Sequence, residues 1–166
     1  MKNFFYAIIT GVMLTMSLAA CSNDDNDSNR VEPTAELETA LREKFPTARN
    51  VEWEHIGPYY IAEFDDNNHE IEAWFDSSAR WLMSEIDMGR SLLSVPTAVA
   101  TAFASGEYST WQIDEIYYYQ RLDRDFYVIE IKNPGQADRE LYYNPDGSLI
   151  KDVPDMDHPR LPETEL

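Results

Sequence analysis

From residue 34 onward, apolar side chains recur with two different periods, and the change from one to the other marks the elements. Leu37, Ala40, Leu41 and Phe45 fall at i, i+3, i+4 and i+8, as do Val95, Ala98, Val99 and Phe103. That spacing places one apolar stripe along a helix, so two short amphipathic helices resting on a core are predicted. Thr34 is placed to cap the first, and Ser94 with Pro96 suits the start of the second. Pro46 and Ser105-Gly106 end them. After each helix the period drops to two. Runs rich in Tyr, Phe, Trp, Ile and Val lie near 50–56, 59–65, 69–76 and 80–86, then near 109–119, 124–132, 138–144 and 148–152. Turn clusters such as Asp65-Asp66-Asn67-Asn68, Asn133-Pro134-Gly135 and Pro145-Asp146-Gly147 separate them. These runs read as antiparallel strands joined by hairpins.

The two halves match. The Phe45 to Trp53 spacing recurs as Phe103 to Trp111, and the stretch from Trp74 to Leu82 aligns without a gap on that from Tyr142 to Ile150. The chain is therefore read as two α-β-β-β-β repeats, residues 34–90 and 91–153. The fold class is α+β, one antiparallel sheet with two helices packed on one face.

Strand alternation then sorts the side chains. Tyr60, Ala62, Phe64, Ile71, Ala73 and Phe75, with Tyr127, Ile129, Ile131, Leu141 and Tyr143, form the more uniformly apolar set and are assigned to the core. The opposite set mixes aromatics with carboxylates: Tyr59, Ile61, Glu63, Glu72 and Trp74, then Phe126, Val128, Glu130, Glu140 and Tyr142. With helices on one side only, this second face meets water, and contiguous aromatic groups there mark a protein-binding surface. The other reading is that loops, the C-terminal tail or a second molecule cover it.

Between Trp111 and the next strand the second half is longer than the first by about nine residues, and the extra length holds Tyr117, Tyr118, Tyr119, Arg121 and Arg124. A hairpin longer than its twin should project, and tyrosine and arginine are favoured interface anchors. Alternatively the tyrosines alternate into the sheet while the arginines pair with Asp114, Asp123 and Asp125. Together with Trp74 and Tyr142 from the open face, these five residues form the candidate partner-binding set.

The tandem unit, the Phe-to-Trp spacing and hairpins ending in Trp74-Phe75-Asp76 and Tyr142-Tyr143-Asn144-Pro145-Asp146-Gly147 resemble the PepSY-like proteins exported by bacteria. That family is also described as similar to the β-lactamase inhibitor protein. The resemblance covers about residues 34 to 153. It implies noncatalytic binding, with inhibition of a protease or other extracellular enzyme as its specific form. The motifs that carry it are structural, and no functional residue of the family maps onto this chain position by position.

Residues 1–20 read as a signal peptide, with Lys2 as the sole charge ahead of an apolar stretch from Phe4 to Leu14. Leu18-Ala19-Ala20-Cys21 resembles the bacterial lipobox, which implies cleavage before Cys21 and a lipid anchor on its sulfur. An ordinary signal peptide followed by a lone free thiol is the alternative. A single cysteine forms no intramolecular disulfide, so stability must come from a packed core. Residues 21–33 are polar and acidic and read as a flexible tether, and residues 154–166 as a disordered tail. The acidic opening of the tether resembles the post-cysteine export signal of some Gram-negative lineages, which implies attachment to the outer membrane, facing the periplasm or the surface. A formal charge of −18 argues against nucleic acid or an anionic membrane surface as partner; contact with the membrane is expected only through the anchor on Cys21.

Catalytic chemistry finds little footing in the sequence. His55, His69 and His158 stand apart from any Ser or Asp grouping that resembles a triad. Glu52, Glu54, Glu63 and Glu72 read as a solvated strand face; an acid–base pair among them would require convergence in a pocket with a raised pKa. Asp65-Asp66-Asn67-Asn68-His69 lacks the glycine and terminal glutamate of a calcium loop, so no metal and no cofactor is expected. The expectation is a noncatalytic, lipid-anchored envelope protein with a protein partner. A structural or assembly accessory subunit of an envelope complex is the alternative, and a large, uniformly apolar patch would favour it.

Overall fold

Thr34 opens the first helix as expected. A computed structural model of the chain describes residues 29–155 and 160–162. The expected signal peptide, Cys21, most of the tether, His158 and the last four residues lie outside the described residues. In α1 (Ala35–Lys44) the Thr34 hydroxyl accepts a hydrogen bond from the Leu37 amide at 3.3 Å. Glu36 and Glu38 in the first turn and Arg42 and Lys44 in the last complement the helix dipole. The second helix, α2 (Thr97–Ser105), starts differently from the expectation. Ser94 ends a short 3-10 turn, Leu92–Ser94, and Pro96 occupies the cap position without a side-chain hydrogen bond. Its ring fixes φ in the range that leads into a helix, so α2 relies on the burial of Val99 and Phe103 and not on a polar cap.

The strands follow the hairpin pattern: β1 (Arg49–Ile56), β2 (Tyr59–Asp66), β3 (His69–Phe75), β4 (Trp81–Asp87), β5 (Gln112–Arg121), β6 (Asp125–Lys132), β7 (Arg139–Tyr143) and β8 (Leu149–Pro154). They form one antiparallel sheet in chain order, β1 to β8. Both helices lie on one side of it. Under α1, Leu37, Leu41 and Phe45 pack on Trp53, Phe64 and Phe75. Val99 and Phe103 of α2 pack on Ile116, Ile129 and Leu141. All of the strand residues assigned to the core by alternation lie in or against these two clusters.

The extra length of the β5–β6 hairpin does not project. Tyr117 to Arg121 pair with Asp87 to Met83 of β4 on one side, and Tyr117 to Gln120 pair with Val128 to Asp125 of β6 on the other. The additional residues are therefore consumed in joining the two groups of four strands, where backbone hydrogen bonds on both edges hold them in the sheet. Because Met83 pairs with Arg121, the hairpin tip at Leu122–Arg124 ends level with the neighbouring strand.

Both ends of the folded part are tied to the sheet more tightly than expected. The Val31 amide donates to Trp53 O and the His55 amide to Asn29 O, each at 2.9 Å, so the last residues of the tether cover the edge of β1. At the other end, Pro154 completes β8, and Arg160, Leu161 and Pro162 lie against the sheet face that the helices leave open. An arginine with multiple side-chain acceptors supplies the ordering that composition alone did not reveal.

Candidate functional site

Cross-strand register builds the open face. Residues directly opposite in antiparallel strands share a face, and Glu52, Glu63, Glu72 and Glu85 are successive partners across β1, β2, β3 and β4. Glu115, Glu130 and Glu140 form a second row across β5, β6 and β7. Like charges placed this way repel, and burial adds to the cost of ionising them. Burial, then the neighbouring Glu85 and Glu63, pushes the Glu72 carboxyl up to about 8. Glu85 is pushed up by burial, against the opposing pull of the Tyr119 hydroxyl and Arg160. Burial likewise raises Glu63 and Glu115.

An aromatic cluster fills the same face. Ile61, Trp74, Met83, Tyr119, Phe126, Val128 and Tyr142 pack together, with Tyr117 and Leu161 against them. Tyr119 stacks on Phe126 at 4.8 Å between ring centres, and Phe126 on Tyr142 at 5.9 Å. Of the residues singled out in the sequence, Trp74, Tyr117, Tyr119 and Tyr142 therefore meet on this face. Trp74, Tyr119 and Tyr142 are only 1%, 0% and 3% exposed, because the rings cover one another and the tail lies over part of them. Arg121 stands at the edge of the cluster, where it donates to the carbonyl of Pro162 and lies 3.7 Å from Asp123.

Tyr118 and Arg124 are elsewhere. The Tyr118 ring is on the helix side, stacked on Tyr127 at 4.8 Å, and its hydroxyl donates to Asp125 at 2.8 Å. Burial, reinforced by that bond, lifts its phenol to about 12. Arg124 is at the hairpin tip, 3.0 Å from Asp123. The two readings of the long hairpin thus resolve toward alternation into the sheet and pairing of both arginines with Asp123, whereas Asp114 pairs with Lys132 and Arg90.

Arg160 is the residue that sequence reasoning missed. Its Nη2 donates to Glu130 Oε1 and Glu140 Oε1, both at 2.7 Å. Nη1 donates to Tyr119 Oη at 2.8 Å, and Nε to Tyr142 Oη at 3.1 Å. Burial pushes Glu130 up while Arg160 pulls it down. Glu85 was also missed, although the register that opposes it to Glu72 follows once the β3–β4 pairing is known.

The remaining candidates are structural in their contacts. The Asp65–Asn68 cluster makes a two-residue hairpin turn with Asn67 and Asn68 at φ 49° and 67°, and Asp66 accepts from the Thr47 hydroxyl at 2.5 Å. His55 lies against Tyr60, and His69 Nδ1 is 2.7 Å from the carbonyl of Asp87. Among the described residues, no group of three His, Cys, Asp or Glu is disposed to hold a metal. A groove of about 390 Å³ beside α1 and β1 includes Glu52 but not Glu63, Glu72 or Glu85.

One open antiparallel sheet of eight strands, backed by two helices and bearing an aromatic and acidic opposite face, defines a β-lactamase-inhibitor-like fold. The chain belongs to the family described as "Putative beta-lactamase-inhibitor-like, PepSY-like", which it matches over residues 58–151. A BLIP-like protein from Bacteroides fragilis shares 30% identity and a TM-score of 0.75, with 84% of this chain and 100% of that one covered. A DUF2874 family protein from Bacteroides uniformis also shares 30% identity, with a TM-score of 0.70 and coverage of 74% and 90%. A Bacteroides eggerthii structure described among "putative periplasmic proteins" shares 26% identity, with a TM-score of 0.69 and coverage of 75% and 90%. No curated protein matches the chain. Among the described residues, no helix is long and apolar enough to cross a membrane.

Proposed function

We propose that this is a noncatalytic binding protein of the bacterial cell envelope, lipid-anchored through Cys21 to the outer membrane and built from two tandem α-β-β-β-β repeats. It binds a partner protein on the open sheet face, with the β5–β6 strands at the centre of the contact. An extracellular protease or other enzyme is the partner class that the inhibitor-like family favours, and binding then amounts to inhibition. The observation that carries this reading is the face opposite the helices, where an aromatic cluster adjoins two rows of carboxylates and residues 160–162 lie over part of it.

The same face weighs against a permanent accessory subunit, since obligate interfaces are more uniformly apolar. Among the described residues, the exposed large apolar side chains, Leu93, Leu122 and Leu149, lie on separate elements and make no such patch. Carboxylate catalysis meets one of its two requirements in the raised Glu72, but the groove beside α1 and β1 is not lined by Glu63 or Glu72.

The test is capture from solubilised envelopes and culture medium with the full-length chain beside Tyr117→Ala. The parent is expected to retain a partner that the variant loses at least tenfold, and the captured protein is then assayed for inhibition. Retention of the same partner by both would move the site off this face, and capture by neither would overturn the binding reading. Anchoring has its own readout: radiolabelled palmitate should mark the parent and not Cys21→Ser, whereas an unlabelled parent would mean an ordinary signal peptide.

A further inference from the structure

The acceptors around Arg160 form a more specific device than an acidic surface. Tyr119 donates its hydroxyl proton to Glu85, and Tyr142 donates its own to Glu140 Oε2 at 2.7 Å. With both protons committed, the two phenolic oxygens turn only lone pairs toward the ligand. Glu130 and Glu140, opposite each other on β6 and β7, contribute two more acceptors. A site made solely of acceptors rejects neutral groups that must also accept, and it accommodates a cation with several diverging donors. The rings of Tyr117 and Tyr119, with centres 5.4 and 5.5 Å from the guanidinium carbon, add a cation–π wall. All of these groups come from β4, β5, β6 and β7, so the sheet sets the site before any ligand arrives.

Arg160 occupies this site in the folded chain. Beyond the Arg160 side chain, Leu161 lies against the aromatic cluster and the Pro162 carbonyl accepts from Arg121. We propose that the Tyr119–Glu130–Glu140–Tyr142 constellation is an arginine-recognition site, and that the partner of the open face presents an arginine in an extended segment for which Arg160–Pro162 is the resident stand-in. This rests on the reading of the open face as a binding surface and names the partner's chemistry. Charge complementarity favours the same partner, since the chain carries a formal charge of −18. Binding exchanges one guanidinium for another, so the tail sets a threshold that a partner must exceed.

The experiment uses the full-length chain, its Arg160→Ala variant, and a labelled synthetic peptide of residues 155–166 as probe. Arg160→Ala should bind the peptide saturably, and the parent at least tenfold more weakly, because its own tail competes at high effective concentration. The peptide carrying Arg160→Ala should lose binding at least tenfold, and Glu140→Gln added to the Arg160→Ala chain should do the same. N-acetyl-arginine methylamide should displace the probe and its lysine analogue should not. Circular dichroism establishes that Arg160→Ala is folded, and Arg160→Lys, which keeps a cation in place, should bind the probe to an intermediate degree. Equal binding by parent and Arg160→Ala, equal binding of both peptides, or no binding by a folded variant would each overturn the site. Failure of the peptide with success of the envelope capture removes the arginine site alone; the reverse removes the proposed function and the arginine-bearing partner while leaving Tyr119–Glu130–Glu140–Tyr142 as a site for the chain's own Arg160.

Discussion

Glu72 is a carboxyl whose environment departs far from its exposed chemistry, and its consequence for stability has a definite sign. Its carboxyl ionises near 8 in the folded chain against an ordinary 4.5. Between those values the folded state keeps a proton that the unfolded chain releases, so stability is intact below about pH 4.5 and declines as pH rises toward 8. Glu72→Gln removes that ionisation while keeping the shape. Urea midpoints should show the parent losing stability from pH 5 to pH 8 and the variant losing less, with a gain at pH 8 on the order of 1–2 kcal/mol. An identical decline in both chains would place the effect on other carboxylates.

Turns decide how the elements meet. Gly147 opens the β7–β8 hairpin at φ +85°, and a Cβ there would stand 2.5 Å from the carbonyl oxygen of Ala98 in α2. The clash is with backbone, so no rotamer relieves it. Gly57, between β1 and β2, also has positive φ but nothing within 4 Å of a Cβ. Gly57→Ala should therefore cost about 1 kcal/mol, the left-handed backbone penalty alone. Gly147→Ala should cost at least about 2 kcal/mol, because α2 or the hairpin must shift. Thermal melts of the two variants side by side check the ranking, and equal losses would show that the hairpin does not bear on the helix.

At the scale of the molecule, the open-face cluster joins what the helices keep apart. Each helix has its own core beneath it, whereas Tyr119 of β5 packs with Ile61 and Trp74 from the first four strands and with Phe126 and Tyr142 from the last four. Five register pairs between β4 and β5 reinforce that junction. Unfolding should consequently be a single transition, with near-ultraviolet signals from Trp and Tyr coinciding with far-ultraviolet loss of strand. Two separated transitions would mean that the halves unfold independently.

Helices, strands and the division of side chains between two faces were legible in the residues, because periods of 3.6 and 2 record locally which positions avoid water. Phe64, Ile71, Ile129 and Leu141 went to the helix side on that signal alone, and the structure buries them there. Register carries no such signature: the opposition of Glu72 to Glu85 depends on how β3 slides against β4, and the fate of the long hairpin depends on β5 finding β4. Arg160 contacts partners 18 to 41 residues away. A contact of that span leaves no periodic trace in a proline-bearing tail, and it forms only after strand pairing has gathered two tyrosines and two glutamates into one acceptor site.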